Sequence, residues 1–200
     1  MTWMLTATGA EVDLRFMNGA DISITAIAHH LAQLNRFTGA CVRPYSVAEH
    51  SLFVVEILRV HGVTDRRVLL YGLLHDAHEA YTADLSSPMK QVVGDAWAAA
   101  EGSAEHAVLK HFGLLTTRAV HREAIKWADM CALRTERHQL LPAGATPWPC
   151  EFTHDNQPWW DFAARAHMSW TDWRRAFLDE FANLTYPADA DTETPEEITP

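Results

Sequence analysis

The chain has 200 residues, of which 48% are hydrophobic and 21% are charged, close to the averages of a globular domain with one sizeable core. Sixteen basic against 26 acidic residues give a net charge of −10, and no run rich in Lys and Arg stands out, so a nucleic-acid polymer is not expected as a partner. No apolar run approaches the ~20 residues that cross a bilayer, and no secretory signal is evident. We therefore expect a cytoplasmic protein without a membrane partner.

The first 20 residues form a segment of their own in the sequence pattern. The stretch WMLTATGAEVDLRF alternates in polarity on both sides of residues 8–10, which is typical of two short strands joined by a turn. The sequence therefore predicts a small N-terminal β-hairpin over residues 1–20.

Helical periodicity begins at about residue 21. Apolar residues recur at the spacing of one helix face at Ile24, Ile27, Ala28, Leu31 and Leu34. Ser46 and Glu49 have the spacing of a capping box, which predicts a helix over 47–60. Thr64 or Asp65 can cap the next helix, which the apolar residues of 68–74 predict to be buried almost all round.

The remainder of the chain is also predicted to be helical. Ser87 before a proline predicts the start of a short helix, further helices cover about 95–112 and 117–141, and Thr171 can cap a last helix to about 184. The proline-rich stretch 142–158 predicts a loop. The sequence thus predicts one all-α domain over 21–184, followed by a disordered acidic tail over 185–200.

Four residues stand out as candidate metal ligands. His50 falls in the first turn of its predicted helix, His75 and Asp76 are adjacent in the segment expected to be most buried, and Asp129 lies among apolar residues of a long helix. A buried ionised aspartate is costly unless a positive charge neutralises it. Histidine with aspartate is a usual ligand set for a catalytic divalent ion, so the four residues predict one metal site.

Two more acids are candidates for proton transfer. Glu79 follows His75 by four residues and Asp76 by three, which in a continuous helix places its carboxylate on their face, where it can exchange protons with a metal-activated water. Asp84 follows at the predicted helix end, within reach of the same cavity. His78 raises the question of a second metal, but we interpret it as a neighbour of the site because no further matching segment is evident.

The four ligands and the segments SVAEHS, GLLHDAHEAYTADLSSPMK and KWAD resemble the HD-domain metal-dependent phosphohydrolases. The likeness is to the bacterial 5'-deoxynucleotidase branch, which includes phage deoxynucleoside triphosphohydrolases that act on dATP, and it covers about residues 20–140. It implies a compact multi-helix HD-domain bundle that holds one divalent ion (Zn, Co or Mn) through His50, His75, Asp76 and Asp129. It also implies that Glu79 and Asp84 orient the water and handle the proton that reaches the leaving group.

The same resemblance suggests substrate contacts. Arg36 matches an arginine that contacts phosphate, Phe37 takes the place of an aromatic residue that can stack on a base or sugar, and Lys90 matches a phosphate-binding lysine. The alternatives are an arginine at a helix C-terminus, a core phenylalanine and a solvated surface lysine. Lys126, three residues before Asp129, either reaches the phosphate or balances the charge of the aspartate.

These observations predict an enzyme that hydrolyses phosphate from deoxynucleotides, either a 5'-deoxynucleotidase or a triphosphohydrolase. One alternative is the hydrolysis of an alarmone or a cyclic dinucleotide, as in other HD branches. Another is a non-catalytic nucleotide-binding HD fold, against which the presence of both Glu79 and Asp84 weighs. Because relatives of this branch form dimers and larger assemblies, a homo-oligomer is expected.

Overall fold

The structure, a computed structural model, describes residues 2–144, 146–157 and 159–186. It is mostly helical with an N-terminal antiparallel hairpin, as the sequence predicts. Strand β1 (Trp3–Leu5) pairs with β2 (Glu11–Asp13), and Gly9 in the turn has a φ of 83°, which glycine adopts readily. The described residues contain nine α-helices: α1 (Ile24–Leu31), α2 (Val47–Val60), α3 (Arg66–Leu74), α4 (Glu79–Thr82), α5 (Ser87–Val93), α6 (Asp95–His111), α7 (Leu115–Gln139), α8 (Cys150–Thr153) and α9 (Trp170–Thr185).

The core lies between α2 and α3, which pack against each other and against α7 and α9. Gly72 of α3 allows this close approach, because a Cβ atom there would lie 2.6 Å from Cδ1 of Leu58. Leu73 and Phe177 are fully buried in the same core. The helices that carry the candidate ligands are therefore held by the most tightly packed part of the molecule.

The end of the chain is described only in part. Helix α9 ends at Thr185, one residue beyond the predicted end of the last helix. Residues 187–200, which make up most of the predicted acidic tail, lie outside the described residues. Among the helices that are described, none has the length and hydrophobicity to cross a membrane.

Three predicted details of the helix ends are wrong. Ser86, not Ser87, is the residue before α5. Ser169, not Thr171, caps α9, because its hydroxyl and the carboxylate of Asp172 form a reciprocal capping box. The stretch predicted as a loop over 142–158 contains the short helix α8.

The capping box predicted for α2 is half correct. The hydroxyl of Ser46 accepts a hydrogen bond from the Glu49 amide at 3.2 Å, and α2 begins where the sequence predicts. The Glu49 carboxylate, however, accepts two hydrogen bonds from Arg43, at 2.7 and 2.8 Å. A charged partner holds this buried carboxylate more strongly than a backbone amide would.

The His75–Asp76 pair does not lie within a continuous helix, and the prediction that it shares a helix face with Glu79 is wrong. Helix α3 ends at Leu74 and α4 begins at Glu79, with a turn over 75–78 between them. The amide of Glu79 bonds to the carbonyl of Asp76, three residues back, so the backbone is wound more tightly than an α-helix. Local turn geometry, not helical spacing, therefore sets the position of the Glu79 carboxylate.

Candidate metal centre

The structure brings the four predicted ligands together from α2, α7 and the turn after α3. Nε2 of His50 lies 3.3 Å from a carboxylate oxygen of Asp129 and 3.6 Å from Oδ2 of Asp76. Nε2 of His75 lies 3.2 Å from the same Asp76 oxygen. His50, His75 and Asp76 thus each place a possible ligand atom within 4.8 Å of the others, and Asp129 joins this cluster through its contact with His50.

The two histidines are oriented by their other ring nitrogens. Nδ1 of His50 donates to the Glu136 carboxylate at 2.6 Å, and Nδ1 of His75 donates to the Gly72 carbonyl at 2.8 Å. Such partners fix the tautomer in which Nε2 can bind a metal. Both Nε2 atoms are buried and face carboxylate oxygens at 3.2 to 3.6 Å without hydrogen-bond geometry, an arrangement in which one cation can be shared by the nitrogens and the oxygens. The donor set therefore fits a divalent transition ion.

The electrostatics of the ligands also favour a positive charge at this point. Burial and Arg36 act to lower the pKa of His50, but the carboxylates of Glu136 and Asp129 outweigh them and raise it to about 9. Burial acts to raise the pKa of Asp76, yet His75, His50 and Arg36 hold it well below its usual range. In the metal-free protein a proton on His50 supplies the charge that an ion supplies when bound.

Glu136 is a functional residue that the sequence analysis missed. It is fully buried in α7 and accepts hydrogen bonds from Tyr45 at 2.7 Å and His50 at 2.6 Å, with Arg36 at 3.4 Å. It follows Asp129 by seven residues, two helical turns along the same face. The seven-residue spacing from Asp129 could have pointed to Glu136. Its charged neighbours at the end of a helix, however, predict an exposed residue.

Glu79 and Asp84 are both placed close to the ligands. Glu79 is buried, and one of its carboxylate oxygens has no hydrogen-bond partner in the described residues. Burial, Asp76 and Asp84 raise the pKa of Glu79 well above its usual value. Burial also raises the pKa of Asp84, against the effect of Arg36. Both carboxyl groups therefore hold a proton more readily than an exposed acid does.

Arg36 reaches the metal centre instead of lying at the surface. Its guanidinium is buried and lies 3.4 Å from both Asp76 and Glu136. The next two residues, Phe37 and Thr38, have φ values of 56° and 54°, a left-handed conformation that is unfavourable for such side chains. Unfavourable backbone angles of this kind concentrate at functional sites, and here they immediately follow a residue that contacts the ligands.

Phe37 is partly buried against the core and contacts aromatic and cationic groups. Its ring lies 6.1 Å from the ring of Trp148, and the guanidinium carbon of Arg36 lies 5.4 Å from its centroid. The structure therefore places Phe37 beside Arg36, as a packing residue that is still partly exposed.

The two lysines are ion-paired at the edge of the site. Nζ of Lys90 lies 2.5 Å from Glu101 of α6, and Nζ of the exposed Lys126 lies 2.8 Å from Asp129. Lys126 thus balances the charge of Asp129, one of the two predicted alternatives, and Lys90 is a half-buried, paired residue and not a freely solvated one.

A cavity of about 350 Å³ opens directly beside the metal centre. Its walls include three candidate ligands, His75, Asp76 and Asp129. They also include both lysines, Lys90 and Lys126, and Glu101 of α6. A volume of this size is in the range of small-molecule pockets. The cavity is thus lined both by candidate ligands and by two cationic side chains.

Comparisons with known proteins give relatives of unknown function. The chain is 36% identical over 142 residues to an uncharacterized protein of Rhodobacter capsulatus, in an alignment that covers 69% of this chain and 72% of the relative. It is 29% identical over 149 residues to the uncharacterized protein YfdR of Escherichia coli, covering 74% of this chain and 78% of that relative. No protein-family model matches the chain.

Proposed function

We propose that this chain, which belongs to the same protein family as the uncharacterized Rhodobacter capsulatus protein, is an HD-domain phosphohydrolase that uses a divalent metal to hydrolyse phosphate from deoxynucleotides. The observation that carries the proposal is the buried cluster of His50, His75 and Asp76, with Asp129 beside His50, in which both Nε2 atoms face carboxylate oxygens. His50, His75, Asp76 and Asp129 would hold the ion, which is Zn, Co or Mn. When bound, the ion supplies Lewis-acid polarisation of a phosphoryl oxygen and lowers the pKa of water.

Glu79 is the best-placed group for proton transfer. Its buried carboxyl has an oxygen without a partner in the described residues, and burial, Asp76 and Asp84 raise its pKa, which favours the protonated form that can give a proton to the leaving oxygen. Asp84 has a raised pKa in the same surroundings and exposes part of its side chain. We assign Glu79 as the proton-transfer group and Asp84 as the acid that orients the attacking water with it.

The cationic side chains account for phosphate binding in a protein with a net charge of −10. Lys90 and Lys126 line the cavity, and each is paired with a single carboxylate that a phosphate can replace. Arg36 is buried beside Asp76, so its charge acts on a phosphate in the centre. Phe37, next to Arg36, is assigned to stacking on the base or sugar. The preference for a deoxyribose and the homo-oligomeric state stay predictions of the HD resemblance.

Product analysis tests this proposal against a non-catalytic nucleotide-binding fold and against other HD activities. Each deoxynucleoside mono- and triphosphate, a guanosine alarmone and a cyclic dinucleotide are incubated with metal-loaded protein, with and without a chelator, and the products are separated by ion-exchange chromatography. We expect deoxynucleotide hydrolysis that the chelator abolishes. Asp129→Ala should lose both metal and product, whereas Glu123→Ala, on an exposed face of the same helix, should behave as the wild type. No product from any deoxynucleotide, or product that is unaffected by the chelator, would contradict the proposal.

A further inference from the structure

We propose that His78, Glu79 and Glu101 form a second divalent-cation site, and that its occupation inhibits the enzyme. The site would bind Mn²⁺ more weakly than the first one and would take Glu79 away from proton transfer. The existence of the site is independent of the proposed function. Its inhibitory effect rests on that function.

The three side chains come from different elements and meet beside the cavity. His78 precedes α4, Glu79 begins it, and Glu101 lies in the middle of α6. One potential ligand atom from each lies within 4.8 Å of the others, and Nε2 of His78 is 3.6 Å from a Glu101 oxygen. His78 and Glu101 both line the cavity beside the first centre, so a cation from solvent can reach them.

Two of these side chains are buried with polar atoms that lack a partner. The side chain of His78 is 9% exposed, and its Nδ1 has no hydrogen-bond partner in the described residues. Glu79 is 3% exposed, and its Oε2 is equally unpartnered. Buried polar atoms without partners are uncommon and usually mark a place where water, an ion or a ligand binds. In this cluster the Glu79 oxygen is such an atom, while the His78 ring presents its other nitrogen, Nε2, to Glu101.

The charges around the cluster predict that a divalent ion binds weakly. The Lys90 ammonium already lies 2.5 Å from Glu101, so this carboxylate has a cationic partner within the described structure. A divalent ion must displace that ammonium, which lowers its apparent affinity relative to the first centre. Two carboxylates and one imidazole suit Mn²⁺ among the common divalent ions.

The inhibitory effect follows from the shared use of Glu79. A carboxylate that ligates an ion cannot carry a proton to the leaving group, because the ion favours its deprotonated form. Filling the second site therefore removes the proton-transfer group while the first centre stays intact. Turnover should rise with Mn²⁺ as the first site fills and fall as the second one fills.

Mn²⁺ binding measured by equilibrium dialysis on the whole chain tests the site directly. We expect two ions per wild-type chain and one per Glu101→Gln chain. Glu105→Gln is the matched control, because Glu105 lies one turn further along α6 and lines the same cavity but pairs with Arg118 at 2.8 Å. This control should still bind two ions. A single Mn²⁺ in the wild type, a measurement that needs no variant, would overturn the inference, as would two ions in a folded Glu101→Gln chain.

Turnover across a Mn²⁺ series tests the inhibition. Activity of the wild type and Glu105→Gln should pass through a maximum, whereas Glu101→Gln should rise to a plateau, each compared with its own maximum. Equal inhibition in all three proteins would refute the inhibitory role. Two bound ions without any hydrolysis would contradict the proposed function but support the second site. Metal-dependent hydrolysis with only one bound ion would support the proposed function and contradict the second site.

Discussion

Replacing Glu136 by glutamine should weaken metal binding although Glu136 is not a ligand. The wild-type carboxylate accepts hydrogen bonds from His50 at 2.6 Å and from Tyr45 at 2.7 Å, and it pairs with Arg36. Glutamine keeps one acceptor oxygen but replaces the other with a donor and removes the negative charge. His50 and Tyr45 share one Glu136 oxygen and Arg36 contacts the other, so glutamine can still orient the imidazole but removes the negative charge that raises its basicity.

The expected magnitude comes from comparable supporting carboxylates. Their removal typically weakens metal binding by about 10- to 100-fold, which is about 1.4 to 2.7 kcal/mol. At a metal concentration of about 1,000 times the wild-type Kd, metal raises the wild-type free energy of unfolding by about 4.1 kcal/mol. The same concentration should raise that of Glu136→Gln by only about 1.4 to 2.7 kcal/mol.

Urea unfolding with and without metal measures both free energies for each variant. Glu49→Gln is the matched control, because Glu49 is also a fully buried residue, but its carboxylate is held by Arg43 and hydrogen-bonds to none of the four candidate ligands. Both variants should be less stable than the wild type without metal, since each leaves buried donors without their charged partner. Only Glu136→Gln should show a reduced stabilisation by metal. If metal raised the free energy of unfolding of Glu136→Gln as much as that of the wild type, the role assigned to Glu136 would be refuted.

Four further predictions concern proton transfer, pH dependence and substrate preference. Glu79→Gln should keep the first metal ion but lose about 10²- to 10⁴-fold in turnover; unchanged turnover at equal metal content would refute its role. The pKa of His50 is raised from 6.5 to about 9. Without metal, its imidazolium therefore stabilises the fold fully below pH 6.5, and this stabilisation is lost as the pH rises through about 9. Urea titrations across this pH range should show the loss. Because an ion must displace that proton, metal affinity should rise by about tenfold per pH unit below about 9, and a pH-independent affinity would contradict this. Finally, kcat/KM should be higher for dAMP than AMP and for dATP than ATP, and equal values for both pairs would remove the basis for a deoxynucleotide substrate.

The grouping of the candidate ligands could be predicted from the sequence because these residues combine polar chemistry with an apolar setting. It is costly to bury the adjacent His75–Asp76 pair and the lone Asp129 among apolar residues unless a partner of opposite charge compensates them. The course of the helices that carry them was also readable, since apolar periodicity and capping residues act locally. The sequence did not predict the turn at 75–78. There the His75 imidazole donates to the Gly72 carbonyl, and backbone hydrogen bonds span three residues instead of four.

The supporting residues could not be predicted because their partners are distant in sequence. Glu136 lies 86 positions from His50, and Glu101 meets His78 only because α6 packs against α4. Neither residue has a local signal that separates it from a solvated acid on a helix. Contacts of this kind depend on tertiary packing, which periodicity and spacing do not encode.

Metal reconstitution of turnover is the most direct test of the central claim that this centre performs metal-dependent phosphate hydrolysis. The protein is freed of metal by a chelator, dialysed and returned in steps to one equivalent of Mn²⁺, Co²⁺ or Zn²⁺, with bound metal and deoxynucleotide turnover measured on each sample. We predict no turnover without metal and a rise in proportion to occupancy up to one ion per chain, with Asp129→Ala inactive throughout. Turnover that persists at full strength in the metal-free protein, or no turnover at any occupancy with any of the three ions, would contradict the account.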